Sequence, residues 1–214
     1  MKRNRHGQAK ILTQQEIQLL FTKGLPKLRY RTLYGICLYT ACRIREACTL
    51  RTPDVYDSTG KVYENLTIRK SSTKGKLATR SIPVLDELRQ LLTAYYPQTG
   101  KKWLFPSSQD RRKHLHPDSA CRLFKEACDR EGIQGASTHS FRRTALTQMS
   151  NSGIPLRVIQ EISGHRSLEQ LQRYLEVKPE QVRGAIASLS MLSPVETGEL
   201  ETITQLSVEE VELD

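Results

Sequence analysis

The hydrophobic spacing of this chain changes once, and that change constrains the fold more than any other sequence feature. Most of the chain has helical spacing, as Leu88, Leu91 and Leu92 illustrate. Between residues 62 and 84, by contrast, apolar residues alternate with polar ones, which is typical of short strands. The glycine-containing segment 71–76 lies between the two alternating runs and predicts the turn of a β-hairpin. We therefore expect an α+β fold that is mainly helical, with a small antiparallel β-sheet.

Capping and turn residues set the expected limits of the helices. Thr13 and Glu16 form a capping box that predicts a helix start, and Pro155 suits the first turn of a later helix. Gly164 predicts a helix end. The other expected helices cover residues 28–41, 86–95, 119–130, 141–151 and 155–164, then one from Ser167 that contains Tyr174, and finally 179–189.

The charges of the chain are distributed unevenly. The net charge is +10, but all 33 lysines and arginines and 16 of the 23 acidic residues lie at or before Arg183. That leaves +17 on residues 1–183 and −7 beyond them. A basic body favours a polyanionic partner such as nucleic acid. No apolar run approaches the roughly 18 residues that a membrane span requires, and no secretion leader is visible, so we expect a cytoplasmic protein.

The five cysteines do not have the pattern of a disulfide framework or a metal site. Their number is odd and none belongs to a C-x-x-C pair. We expect all five to be buried free thiols, because unpaired cysteine is among the most buried residue types. We expect neither a bound metal nor a cofactor.

Six residues with phosphate-binding or proton-transfer chemistry stand out. Residues 138–143 (THSFRR) and 164–167 (GHRS) carry most of the signal, with Tyr174 nine residues after the histidine and residues 40–46 (TACRIRE) upstream. A guanidinium can bind two phosphate oxygens at once, and a phenol can attack phosphorus. The candidate catalytic residues are Arg43, Lys74, His139, Arg142, His165 and Tyr174.

These segments resemble the catalytic domain of the tyrosine recombinase (phage integrase) family, from about Ile11 to about Leu189. The resemblance implies the fold that this family shares with type IB topoisomerases. It implies a site-specific recombinase that cleaves and rejoins DNA through a 3′-phosphotyrosine, for integration, excision or inversion. The implied partners are double-stranded DNA and further copies of the chain, assembled as a tetramer on that DNA.

The resemblance also implies a role for each residue. Arg43 and Arg142 would bind the phosphate, with Glu46 supporting the site, and His165 would donate a hydrogen bond to the phosphate. Tyr174 would be the nucleophile, and the side chains of His139 and Arg142 would point to one place on a helix start. Lys74 at the hairpin tip would be the general acid. The expected DNA-binding residues are Lys70, Lys76, Arg143 and Arg166, with Lys70 and Lys76 also competing for the acid role and Arg143 facing solvent or DNA.

Two departures from the family pattern bear on function. The family usually has a separate amino-terminal core-binding domain, whereas we expect a basic arm at 1–10, a catalytic domain at 11–190 and an acidic tail at 191–214. The family's Thr-Gly-x-Arg motif has Ala41 in place of glycine. A type IB topoisomerase and a non-catalytic DNA-binding regulator on the same scaffold remain alternative functions.

Overall fold

The computed structural model describes residues 9–72, 78–175 and 179–189. The chain divides into two compact units, Met1–Glu176 and Val177–Asp214. Within the described ranges, no helix combines the length and the apolar character that crossing a bilayer requires.

Helices dominate the first unit. The capping box at its start is confirmed, because Thr13 Oγ1 accepts the Glu16 N–H at 3.1 Å while the Glu16 carboxylate accepts the Thr13 N–H at 3.0 Å. A π-helical turn at Leu20–Gly24 follows the first helix. The helices of this unit are α1 Gln14–Leu19, α2 Leu28–Thr40, α3 Ile44–Cys48, α4 Asp86–Tyr95, α5 Pro117–Arg130, α6 Thr138–Asn151, α7 Leu156–Ser163 and α8 Leu168–Gln172. The second unit contains α9, Pro179–Ala187.

The predicted antiparallel strand pair is confirmed. Strands β1 (Asn65–Ile68) and β2 (Arg80–Pro83) pair so that Leu66 lies opposite Ile82 and Ile68 lies opposite Arg80. All four of these side chains are buried, as expected when alternate residues of a strand share one face. The hairpin turn at 73–77 lies outside the described residues.

Helix α2 lies at the centre of the first unit, packed against α4 and α6. The rings of Tyr34, Phe124 and Phe141 meet there with centroid distances of 4.8 to 5.6 Å. Each such aromatic pair contributes about 0.5–1.5 kcal/mol beyond burial. The Tyr34 hydroxyl also donates to the Ala120 carbonyl at 2.6 Å. These contacts fix α6, the helix that carries the THSFRR segment, against α2 and α5.

Two predicted helix limits were wrong. Helix α6 begins at Thr138 rather than at residue 141, because Ser137 Oγ accepts the His139 N–H at 3.3 Å and caps the helix there. Helix α8 ends at Gln172, so Tyr174 lies in the turn that follows it and not within the helix. Its N–H donates to the Leu171 carbonyl at 2.9 Å, which closes that turn.

The expectation of buried free thiols is confirmed for four cysteines and wrong for the fifth. Cys37, Cys42, Cys48 and Cys128 are buried and unpaired. Cys121 is also a free thiol but is exposed, with its Sγ 3.4 Å from the Thr138 hydroxyl.

Candidate active site

Arg142 is a deeply buried cation of the site. Its side chain is 1% exposed, with Nη1 donating to the Ala41 carbonyl at 2.5 Å and Nη2 3.1 Å from His165 Nε2. Burial, together with the nearby charge of Arg43, lowers its pKa to about 10, so the guanidinium stays protonated at neutral pH. In the described part of the chain it forms no ion pair. A buried cation without a carboxylate partner in the described residues is suited to binding an anion.

The backbone at the end of α2 supplies the carbonyl that orients Arg142. Ala41 ends that helix in the left-handed conformation, with φ 50° and ψ 23°. Glycine usually occupies such a position, and a side chain there costs about 1–2 kcal/mol. This is the position at which the sequence departs from the family's glycine. The left-handed turn places the Ala41 carbonyl next to Arg142 and brings the chain directly into Arg43.

Glu46 holds two arginines at the edge of the site. Its carboxylate is 1% exposed and accepts both the backbone N–H of Arg43, at 2.9 Å, and the Arg43 Nη1, at 3.3 Å. The second partner is Arg80, whose Nη2 donates to Glu46 at 2.8 Å. With Arg142 close by, three guanidinium groups surround one carboxylate. The cluster therefore carries excess positive charge where a phosphate is expected.

Sequence reasoning missed Arg80 as a member of this cluster. Its buried position had a signal, because Arg80 has the same strand parity as Ile82 and Val84, which the alternating pattern turns toward the core. Its partner had no local signal, since Glu46 lies 34 residues earlier in the chain.

His165 is held in a neutral state beside Arg142. It is 6% exposed, and burial followed by the charges of Arg142, Arg43 and Arg80 lowers its pKa to about 3. The hydroxyl of Ser163, also missed by sequence reasoning, lies 2.7 Å from Nδ1. The Ser163 hydroxyl can donate to Nδ1 or accept from it, whereas Arg142 Nη2, 3.3 Å from Nδ1 and 3.1 Å from Nε2, can only donate. The form of His165 that can donate to a phosphate oxygen through Nε2 is the one in which Ser163 donates to Nδ1.

Tyr174 lies against the imidazole of His165. The two ring centroids are 5.0 Å apart with an interplanar angle of 51°. The phenol is half-buried. It is close enough to Arg142 to offset a small part of the lowering of the pKa of that guanidinium. Gly164, at φ 62°, ends α7 and turns the chain, so that residues nine apart in sequence meet. The convergence expected from that turn is present.

His139 lies on the first turn of α6 with its side chain exposed. Partial desolvation and the positive charges of Arg142 and Arg43 lower its pKa. Because the charges of both arginines act on its pKa, His139 lies near the cluster formed by Arg43, Arg80, Arg142 and Glu46. The described structure thus brings together five of the six predicted catalytic residues, Arg43, His139, Arg142, His165 and Tyr174. Lys74 lies outside the described residues.

The predicted DNA-binding residues divide into three groups. Lys70 and Arg166 are exposed, and Lys76 lies outside the described residues. The expectation that Arg143 faces solvent or DNA was wrong. Its side chain is 6% exposed, and Nη1 donates to the Ala9 carbonyl at 2.6 Å. One residue beyond Arg142, it lies about 100° around α6, on the side covered by the extended segment that precedes α1.

Similar proteins from several organisms are named tyrosine recombinases. Tyrosine recombinase XerA of Pyrococcus furiosus is 31% identical over 195 residues, which are 89% of this chain and 65% of that protein. A tyrosine recombinase of Thermosipho africanus is 28% identical over 165 residues, which are 76% of this chain and 55% of that protein. The chain therefore spans less than two thirds of the length of these relatives.

Solved structures confirm the predicted fold of a tyrosine recombinase catalytic domain. A crystal structure of XerA recombinase matches with a TM-score of 0.69 at 23% identity, over 86% of this chain and 66% of that one. The Tn1549 transposon integrase, solved in complex with transposon right end DNA, matches with a TM-score of 0.69 at 16% identity, over 89% and 68%. A sequence model of the Phage integrase family matches residues 10–181, and the chain belongs to that family.

Proposed function

We propose that this chain is a tyrosine-type site-specific DNA recombinase that cleaves and rejoins DNA strands without a metal or cofactor. The observation that carries the proposal is the buried, unpaired guanidinium of Arg142, with the neutral imidazole of His165 and the phenol of Tyr174 against it. This arrangement binds an anion and places a nucleophile beside it. The names of the relatives, tyrosine recombinases, support the same conclusion.

In the proposed reaction, Arg43 and Arg142 bind the scissile phosphate and His165 donates a hydrogen bond to it. The Tyr174 oxygen attacks phosphorus and forms the 3′-phosphotyrosine, while the bond to the 5′ oxygen breaks. The phenol proton passes to His139, whose lowered pKa keeps it neutral and able to accept a proton at pH 7. We assign protonation of the leaving 5′ oxygen to Lys74. Attack by a second 5′ hydroxyl reverses these steps and releases Tyr174.

The proposed partner is double-stranded DNA, with four copies of the chain assembled on it in the cytoplasm. Support comes from the +17 charge of residues 1–183 and from the DNA in a solved structural neighbour. Lys70, Lys76 and Arg166 are the proposed backbone contacts; Arg143 is not, because it is buried. We propose residues 11–190 as the catalytic domain, between the basic arm and the acidic tail.

The test begins by finding the DNA on which the chain acts. The 214-residue chain is incubated with sheared, lightly nicked genomic DNA of its source cell, the mixture is denatured in detergent, and the DNA still attached to protein is sequenced. We expect one sequence to be strongly enriched. A plasmid with two copies of that sequence should then give recombinant products. Supercoil relaxation without strand exchange would instead indicate a topoisomerase, and binding without an adduct would indicate a regulator.

A further inference from the structure

Arg80 is a buried cation that the proposed reaction leaves without a role. It opens β2 and is 7% exposed. Its guanidinium makes two hydrogen bonds in different directions, from Nη2 to the Glu46 carboxylate at 2.8 Å and from Nη1 to the Ile162 carbonyl at 2.6 Å. A buried arginine with two fixed acceptors defines the distance between them, because the guanidinium is planar and rigid.

The two acceptors belong to different halves of the active site. Glu46 is the residue that holds Arg43, through the Arg43 backbone N–H and side chain. Ile162 lies in the last turn of α7, three residues before His165. Arg80 therefore sets the spacing between the segment that carries Arg43 and the segment that carries His165.

The backbone at Gly164 lies very close to the Arg80 side chain. A Cβ atom at that position would lie 2.8 Å from Arg80 Nε and 2.9 Å from its Cδ, too near for any side chain. The backbone there also has φ 62°, a conformation that favours glycine. Arg80 therefore packs directly against the residue that precedes His165.

Arg80 also shares the charge of Glu46. Within the described residues, the ion pairs of this buried carboxylate are with Arg43 and Arg80. Without Arg80, the carboxylate would have to be neutralised by Arg43 alone, because an unpaired buried charge is costly. Arg43 would then be drawn toward Glu46 and away from an incoming phosphate.

We propose that Arg80 is a positioning residue for strand cleavage, which holds Arg43 through Glu46 and His165 through Ile162 at the spacing that one phosphate requires. The inference rests on the proposed function. Arg80 itself does not touch the DNA. Its loss should therefore slow the chemical step and leave DNA affinity nearly unchanged.

The experiment measures single-turnover cleavage by the full chain on a nicked duplex built from the captured sequence. At saturating DNA, Arg80→Gln should lower the cleavage rate constant at least about 30-fold and change Kd by less than about threefold. Arg69→Gln is the matched control. Arg69 follows β1 and pairs with the buried Asp54, although its own side chain is more exposed than that of Arg80. Its loss therefore also removes the arginine partner of a buried carboxylate near the same hairpin. The cleavage rate constant of Arg69→Gln should be within about threefold of the wild-type value.

Two further measurements separate positioning from general damage. In a Glu46→Gln background, the loss caused by Arg80→Gln should shrink at least about threefold, because the two residues act through one contact. The second uses a duplex in which sulfur replaces the bridging 5′ oxygen, a leaving group that needs no acid. The ratio of the Arg80→Gln cleavage rate constant to that of wild type should be the same on both duplexes, because the defect lies in the placement of the groups around the phosphate and not in protonation of the leaving oxygen.

If Arg80→Gln does not fold, Arg80→Lys decides the question. A single ammonium group cannot reach Glu46 and Ile162 together as the planar guanidinium does. We therefore expect Arg80→Lys to be folded and to cleave about tenfold more slowly than wild type. Three results would each overturn the inference alone. They are wild-type cleavage by either variant, a double variant in which the losses caused by Arg80→Gln and Glu46→Gln multiply fully, and rescue of Arg80→Gln by the sulfur substrate. A wild-type chain that forms no adduct would overturn the proposed function as well.

Discussion

Single residues of this site owe their chemical state to neighbours that are distant in sequence. His165 is neutral because it is buried beside Arg142 and because Arg43 and Arg80 add further positive charge. A neutral imidazole can donate one hydrogen bond to a phosphate without adding to the crowding of cations. Two neighbours bear on which nitrogen carries the proton, namely the Ser163 hydroxyl, 2.7 Å from Nδ1, and the Arg142 Nη2, 3.1 Å from Nε2.

Replacement of Ser163 by alanine should therefore weaken catalysis without weakening DNA binding. Loss of the hydroxyl removes the hydrogen bond that, with Ser163 as the donor, favours a proton on Nε2 of His165, and we expect cleavage to slow by about tenfold, the scale of one hydrogen bond. Single-turnover cleavage at saturating DNA checks this. Ser163→Thr, which keeps the hydroxyl, is the control and should cleave faster than Ser163→Ala; equal rates in the two variants would contradict the tautomer argument.

The depressed pKa of His165 predicts a dependence of stability on pH. In the unfolded chain the imidazole has its ordinary pKa of 6.5, whereas in the folded chain the value is about 3. Between these values the unfolded state binds a proton that the folded state does not, so stability is lost as pH falls through this window. From pH 7 to pH 5 the loss should be about 2 kcal/mol. Urea unfolding at the two pH values should show a loss of stability that is about 2 kcal/mol larger in wild type than in His165→Gln, because the lowered pKa of His139 contributes in both proteins.

At the scale of secondary structure, the ends of helices position the proposed catalytic groups. Ala41 at the end of α2 provides the carbonyl that orients Arg142, and Gly164 at the end of α7 turns the chain into His165. Both residues have positive φ. The close approach of Arg80 makes Gly164 the more demanding of the two, because no side chain fits there.

Two glycine substitutions separate backbone strain from the collision with Arg80. Gly164 and Gly153 both have positive φ, but a Cβ atom at Gly153 would meet nothing within 4 Å. Gly153→Ala should lower the free energy of unfolding by about 1–2 kcal/mol, and Gly164→Ala should lower it by more, because the added Cβ also meets Arg80. Gly164→Ala should in addition reduce adduct formation at least about tenfold. Equal activity of the two variants would show that the contact with Arg80 has no functional importance.

Elements with local signals could be predicted from the sequence, and contacts between distant residues could not. Capping residues and hydrophobic spacing predicted the first helix, α4 and the strand pair. The motifs predicted the residues that converge at Arg142. The burial of Arg143 was missed because its partner Ala9 lies 134 residues away, and the pairing of Arg80 with Glu46 was missed for the same kind of reason. The short length of α8, which leaves Tyr174 in a turn, has no cap or proline to announce it.

At the scale of the whole molecule, the positive and negative charges are concentrated in different parts of the sequence. Residues 1–183 carry +17, and the seven acids beyond them are not balanced by any lysine or arginine. The proposed contact with DNA phosphates would account for the concentration of cations in residues 1–183. The excess also predicts how binding depends on salt.

DNA affinity should fall steeply as salt concentration rises. If about six phosphates are neutralised, the plot of log Kobs against log salt should have a slope of roughly −5, because bound cations are released from the DNA. Titrations of a captured duplex between low and moderate salt measure this slope. A nearly flat plot would show that the +17 charge does not face DNA.

The central claim is that Tyr174 becomes covalently joined to DNA, and adduct trapping tests it most directly. Wild-type chain and Tyr174→Phe are incubated with the nicked duplex, denatured in detergent and separated on a gel, with Tyr63→Phe as a control at an exposed tyrosine. We expect a protein–DNA band with wild type and Tyr63→Phe, and none with Tyr174→Phe although it binds the duplex with similar affinity. A detergent-resistant adduct that persists in Tyr174→Phe would contradict the account.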